Sequence, residues 1–143
     1  MLRHLTVIIF FLFAFANIAE ANGDTQVFWN RFREAVLSGD SERVAALTKF
    51  PLWVRGPDDS DPVVYYGRKD FDKILKRLLN QEVSTWVDGK VVVQNMREII
   101  REKHRITPKE LRTPRDLSIE LLQFEKTDGK WLFTRGYLED GAD

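Results

Sequence analysis

Cysteine is absent from all 143 positions. Disulfides, thiolate metal sites, a cysteine nucleophile and a lipid anchored on an N-terminal cysteine are therefore all excluded. Histidine is nearly absent: His4 and His104 are the only two. His104 sits in the charged run Arg101-Glu102-Lys103-His104-Arg105, which marks it as a solvated residue of a helix rather than a positioned catalytic base. A multi-histidine metal site cannot be assembled within one chain. No glycine-rich phosphate loop and no dinucleotide fingerprint occurs, and no metal or other cofactor is expected. Excess charge of one sign is lacking as well, since 22 basic residues balance 22 acidic ones. Nucleic-acid binding proteins rely on a basic excess, so that class of partner is set aside.

A long apolar run occurs only once, at the N-terminus. Arg3 supplies a positive charge, residues 5–19 are apolar apart from Thr6 and Asn17, and Ala19-Glu20-Ala21 offers a small-x-small cleavage site before Asn22. That order reads as a secretory signal peptide. The apolar part is fifteen residues long, short of the roughly 20 that a spanning helix needs. We therefore expect cleavage between Ala21 and Asn22, export to the periplasm or outside the cell, and membrane contact only before cleavage. The remaining 22–143 segment suits one domain with a real hydrophobic core, and all four tryptophans lie in it.

Along that segment, Asp24 or Thr25 is placed to cap a helix from about residue 26 to 38. Phe28, Trp29, Phe32 and Val36 give it one apolar face, and Gly39 ends it. Asp40 caps a second helix that Phe50-Pro51 stops. Short strands are expected at residues 52–54 and 63–66, on either side of an acidic loop with Asp58, Asp59 and Asp61. Those carboxylates lack calcium-loop spacing and read as a solvated loop. A third helix at residues 69–80 carries the stripe Phe71, Ile74, Leu75, Leu78, Leu79. Residues 91–93 form a strand after an Asp88-Gly89 turn. Asn95 and Glu98 have capping-box spacing, and Thr107-Pro108-Lys109-Glu110 signals another short helix. The chain closes with a hairpin whose turn is Asp128-Gly129. Its first arm runs from Asp116 to Lys126, and a change of alternation at Leu121 and Leu122 reads as a bulge. The class is α+β, with N-terminal helices packed on one face of a curved antiparallel sheet.

The runs Phe28-Trp29-x-x-Phe32-x-x-Ala35-Val36, Ser38-Gly39-Asp40 and Val44-Ala45-x-Leu47 join Phe50-Pro51-Leu52, Gly67-Arg68-Lys69-x-Phe71 and Asp128-Gly129-Lys130-Trp131. In type and order they resemble the nuclear-transport-factor-2-like superfamily, the cone-shaped cystatin-like fold, and in particular its small secreted bacterial proteins. The resemblance covers most of the segment after Ala21. It implies a space between sheet and helices that holds a small apolar ligand, hosts catalysis or is filled by side chains.

Trp53, Tyr65, Tyr66, Trp86, Trp131 and Arg135 are the ligand-binding candidates. Tyr65 and Tyr66 must face opposite ways in a strand. The block from Arg97 to Arg115 holds seven basic and three acidic residues and reads as an exposed face. No catalytic residue is assigned. These observations point to a non-catalytic ligand-binding or protein-interaction module of the cell envelope. Its partner would be a small apolar ligand, an envelope protein, or a second copy joined through the sheet. The alternative is a small lyase, isomerase or hydrolase with a tyrosine–carboxylate site in the cone.

Overall fold

Apolar side chains at three- and four-residue spacing build the helical layer. The computed structural model describes residues 23–142; the signal segment, with Ala21 and Asn22 at its expected cleavage point, lies outside the described residues. Helix α1 spans residues 23–37, so Asp24 and Thr25 lie within it rather than capping it. Thr25 is buried, and Asp24 instead pairs with Lys126 Nζ at 2.7 Å. Gly39, at φ +71°, takes the left-handed conformation that the turn requires. Asp40 then caps α2 (Ser41–Ala46) by accepting from the Arg43 amide at 3.1 Å.

Strand β1 (Thr48–Arg55) begins well before Pro51, earlier than the expected strand at 52–54. The α2 helix ends on its own at Leu47, and the chain then runs extended through the proline beside β8 (Lys130–Tyr137). β2 (Val64–Tyr66) follows the acidic loop. A 3₁₀ turn (Arg68–Asp70) leads into α3 (Phe71–Asn80), which buries its whole apolar stripe. β3 (Glu82–Val87) and β4 (Lys90–Asn95) form a separate hairpin. Asn95 then caps α4 (Met96–Glu102) with the full reciprocal capping box to Glu98.

The expected helix after Thr107 is a turn. Its capping bonds exist, because Glu110 accepts from the Thr107 amide at 2.7 Å and the Thr107 hydroxyl at 2.6 Å. No helix grows from them because β5 (Leu111–Thr113) begins at the next residue. The first arm of the final hairpin is two strands, β6 (Asp116–Ile119) and β7 (Leu122–Thr127). What looked like a bulge is a reversal at Glu120 and Leu121, with Glu120 at φ +48° and Ile119 opposite Leu122. The irregularity of the β7–β8 pair lies on the other strand, around Thr134, which intervenes between the partners of Gln123 and Phe124.

The large sheet has the order β2-β1-β8-β7-β6-β5. It is mixed, not wholly antiparallel as expected: β1 and β8 run parallel, and every other neighbouring pair is antiparallel. Each of these two strands has an antiparallel partner on its outer side, β2 and β7. Their own junction joins segments distant in sequence, so local turn chemistry does not set its direction.

The space under the sheet is filled with rings. Phe32 meets Phe124 edge-on at 4.9 Å between centroids, Trp29 lies 5.9 Å from Phe32, and Phe124 lies 5.4 Å from Phe133. Trp29 Nε1 donates to the Lys103 carbonyl at 2.7 Å, which ties α1 to the end of α4. Each of these side chains contributes on the order of 1.5–3 kcal/mol through burial, and their edge-on and offset geometries add to it.

Candidate functional site

Strand alternation puts Leu52 and Val54 under the sheet and Trp53 and Arg55 on its solvent side. The register then carries a row across adjacent strands. Tyr65 of β2 lies opposite Trp53 of β1, Trp53 opposite Arg135 of β8, and Arg135 opposite Gln123 of β7. The next row pairs Arg55 with Tyr137. Three of the six candidate residues, Trp53, Tyr65 and Arg135, are thus brought together on one surface.

Their contacts form a layered array. The Arg55 guanidinium lies 5.2 Å from the Trp53 ring centre and 5.6 Å from that of Tyr137. The Arg135 guanidinium lies 5.4 Å from the same Trp53 ring. Trp53 and Tyr137 meet edge-on at 5.4 Å. Cations over ring faces are attracted by the ring quadrupole, at about 0.5–1 kcal/mol per exposed contact. Acidic partners hold the outer ends: Arg55 Nη2 reaches Asp59 at 2.7 Å, and Arg135 Nη2 reaches Glu125 at 3.3 Å. Tyr137 donates to Gln123 Oε1 at 3.5 Å. The Arg55 Nε–H is buried and finds no acceptor among the described residues.

The other candidates go elsewhere. Tyr66 turns toward the opposite side of the sheet from Tyr65 and donates its hydroxyl to the Ala142 carbonyl. Trp131 is a core residue, 4% exposed and stacked near Phe28 at 6.3 Å. Trp86 stands on the β3–β4 hairpin, 76% exposed. His104 is exposed just after α4, and its carbonyl accepts from Gln26. Within the acidic loop, the Asp61 carboxylate accepts from the Asp58 amide at 2.9 Å. No cluster of three potential metal ligands occurs among the described residues.

Two clefts of similar size lie away from the Trp53 array. One, of about 330 Å³, is lined by Ile99, Lys103, Lys109, Glu110 and Arg112. There Lys103 Nζ binds the Glu110 carboxylate. Burial pushes the Glu110 carboxyl up, but hydrogen bonds from Lys103 and Thr107 outweigh it and leave the group below its ordinary value. The other, of about 320 Å³, is lined by Val27, Phe28, Leu47 and Trp131. No Asp or Glu is buried among the described residues; the buried polar side chains are Thr25, Thr48, Gln123 and Thr134. A tyrosine–carboxylate site of the kind the alternative requires would need a buried acid.

Arg55, Tyr137, Gln123 and Glu125 were missed as site residues. The signal was nonetheless present for two of them. Arg55 follows Trp53 by two, and Tyr137 follows Arg135 by two, which in a strand means the same face. Gln123 and Glu125 join only through cross-strand register. Comparison with known protein families, with curated proteins and with solved structures finds no match to this chain.

Proposed function

We propose that this chain is exported through its N-terminal segment and serves as a non-catalytic binding module of the cell envelope. Its working surface is the solvent face of the large sheet around Trp53, and its partner is another envelope protein. One observation carries the reading: Trp53, Tyr65, Tyr137, Arg55 and Arg135 converge on a single outer surface, while the interior is packed with aromatic rings. Aromatic and arginine side chains are the residue types that anchor protein interfaces. Guanidiniums held against rings are pre-oriented, so less freedom is lost when they donate to a partner's carboxylates or carbonyls. Neither cleft described above includes Trp53 or Tyr65 in its lining, which favours a macromolecular partner over a small apolar ligand. The fold reading we propose alongside is a nuclear-transport-factor-2-like one with its cone filled. Helices lying against a single face of the sheet support it, as do the buried Phe28, Trp29, Phe32, Phe124 and Phe133.

The test is site-specific photo-crosslinking in intact cells. A photoreactive residue at Tyr65 is expected to yield one defined envelope-protein adduct that the same group at Lys73 on α3 does not yield. Trp53→Ala should lower that adduct roughly tenfold or more, the loss typical of a central aromatic anchor, with an unchanged far-ultraviolet circular dichroism spectrum. Absence of a position-specific adduct would overturn the reading. So would substrate turnover by the purified protein that a single substitution abolishes.

A further inference from the structure

The cleft of about 320 Å³ opens where three parts of the fold meet: α1, the junction of α2 with β1, and the turn between β7 and β8. Small-molecule sites occupy roughly 300–1,000 Å³ and combine apolar walls with a few polar groups that fix orientation. Phe28, Leu47 and Trp131 supply apolar walls here, and Val27 joins them while 51% exposed. Trp131 carries a further signal. Its Nε1–H is buried and has no acceptor among the described residues, and a buried donor left unmet costs about 1–3 kcal/mol.

The charges around this cleft are one-sided. Among the described residues, Asp24 is the one carboxylate in the lining, and Lys126 Nζ neutralises it at 2.7 Å. Arg31 of α1 and Lys130 of β8 also line the cleft, and both are exposed. Neither side chain has an ion pair or a hydrogen bond among the described residues. Asp128 of the adjoining turn is exposed and lies outside the lining. Two cations are thus left unanswered beside apolar walls, in a chain whose total charge is balanced.

We infer that this cleft binds a free single-chain anionic amphiphile, an alkyl carboxylate. Its chain lies against Phe28, Leu47 and Trp131, and its carboxylate is held by Arg31 and Lys130. Each methylene it buries contributes about 0.8 kcal/mol. A guanidinium matches a carboxylate with two parallel donors, and the ligand's head also offers the acceptor that the Trp131 N–H lacks. A wholly apolar ligand would leave both cations unanswered, and a cationic amphiphile would be repelled by them. The cleft is at the small end of ligand sites, which suits one short chain and not a two-chain lipid. The site shares no residue with the Trp53 surface and does not rest on the reading proposed for it.

The test is calorimetric titration of the protein purified from cells with octanoate, octanol and octyltrimethylammonium. Octanoate should bind, with an affinity roughly tenfold or more above that of either other compound, and added salt should weaken octanoate alone. Arg31→Ala combined with Lys130→Ala should weaken octanoate roughly tenfold or more and leave octanol unchanged, with an unchanged circular dichroism spectrum. Val27→Asp, at an exposed position, should weaken both. A bromine-tipped octanoate should quench tryptophan fluorescence, and Trp131→Phe should remove most of that quenching. Should Trp131→Phe fail to fold, the two charge substitutions still decide. No octanoate binding at about 1 mM would overturn the inference. So would equal binding of octyltrimethylammonium, or indifference to the loss of Arg31 and Lys130. Binding to phosphatidylglycerol vesicles without binding to free octanoate would overturn it too, by assigning the cations to a membrane surface.

Discussion

Gly136 lies in β8 between Arg135 and Tyr137, two members of the candidate surface, and its Cα faces α3. A methyl group added there would come within 2.8 Å of both Leu78 Cδ atoms and 3.4 Å of Cγ. Leu78 is fully buried, and because both of its terminal methyls are met, exchanging them clears no space. Gly136 is not among the positive-φ glycines, so alanine meets no backbone penalty. On entropy alone Gly136→Ala would stabilise by about 0.4–1 kcal/mol. Overpacking costs about 1–3 kcal/mol, which leaves a net effect between about zero and a loss of about 2.6 kcal/mol. Leu78→Ala alone should cost about 2–5 kcal/mol by opening a cavity. In the double variant the new methyl occupies part of that cavity, so the pair should cost less than the sum by about 1–2 kcal/mol. The assay is urea unfolding followed by tryptophan fluorescence on all four members of the cycle. Strict additivity of Gly136→Ala with Leu78→Ala would refute the close approach of β8 to α3 on which the reasoning rests.

Asn95→Ala removes the side-chain acceptor for the Glu98 amide, 2.9 Å away; thermal melting should show a loss of about 1 kcal/mol. Glu110 has a folded-state carboxyl below its ordinary value of 4.5, so the stability it contributes is fully present above that pH and is lost as pH falls through the lower folded value. Glu110→Gln should therefore lower stability by about 1 kcal/mol at pH 7, and the difference from the parent should shrink in melts taken between pH 4.5 and pH 2.

Much of the local structure was legible. The stripe of Phe71, Ile74, Leu75, Leu78 and Leu79 announced α3, the Asn95–Glu98 spacing announced α4, and Asp88-Gly89 and Asp128-Gly129 announced turns that occur. Where reading failed, a longer-range partner had won. Thr107 and Glu110 carry the bonds of a helix start, yet β5 takes the chain at Leu111 to pair with β6. Leu121 looked like part of a continuous strand because apolar residues on both sides of a reversal keep the alternation nearly unbroken. The candidate surface was half legible: a period of two places Trp53 with Arg55 and Arg135 with Tyr137, but no local pattern says that these pairs are neighbours.

Composition and spacing alone announced α3, α4, the Asp88-Gly89 and Asp128-Gly129 turns and the α+β class, because these depend on residue type and on contacts within a few positions. The parallel junction of β1 with β8 came only from folding, and with it the meeting of Trp53 and Arg135 on one face and the burial of Trp131 on the other. Those contacts join residues some eighty positions apart, where the packing of rings beneath the sheet, and not the preference of any short segment, chooses the partner.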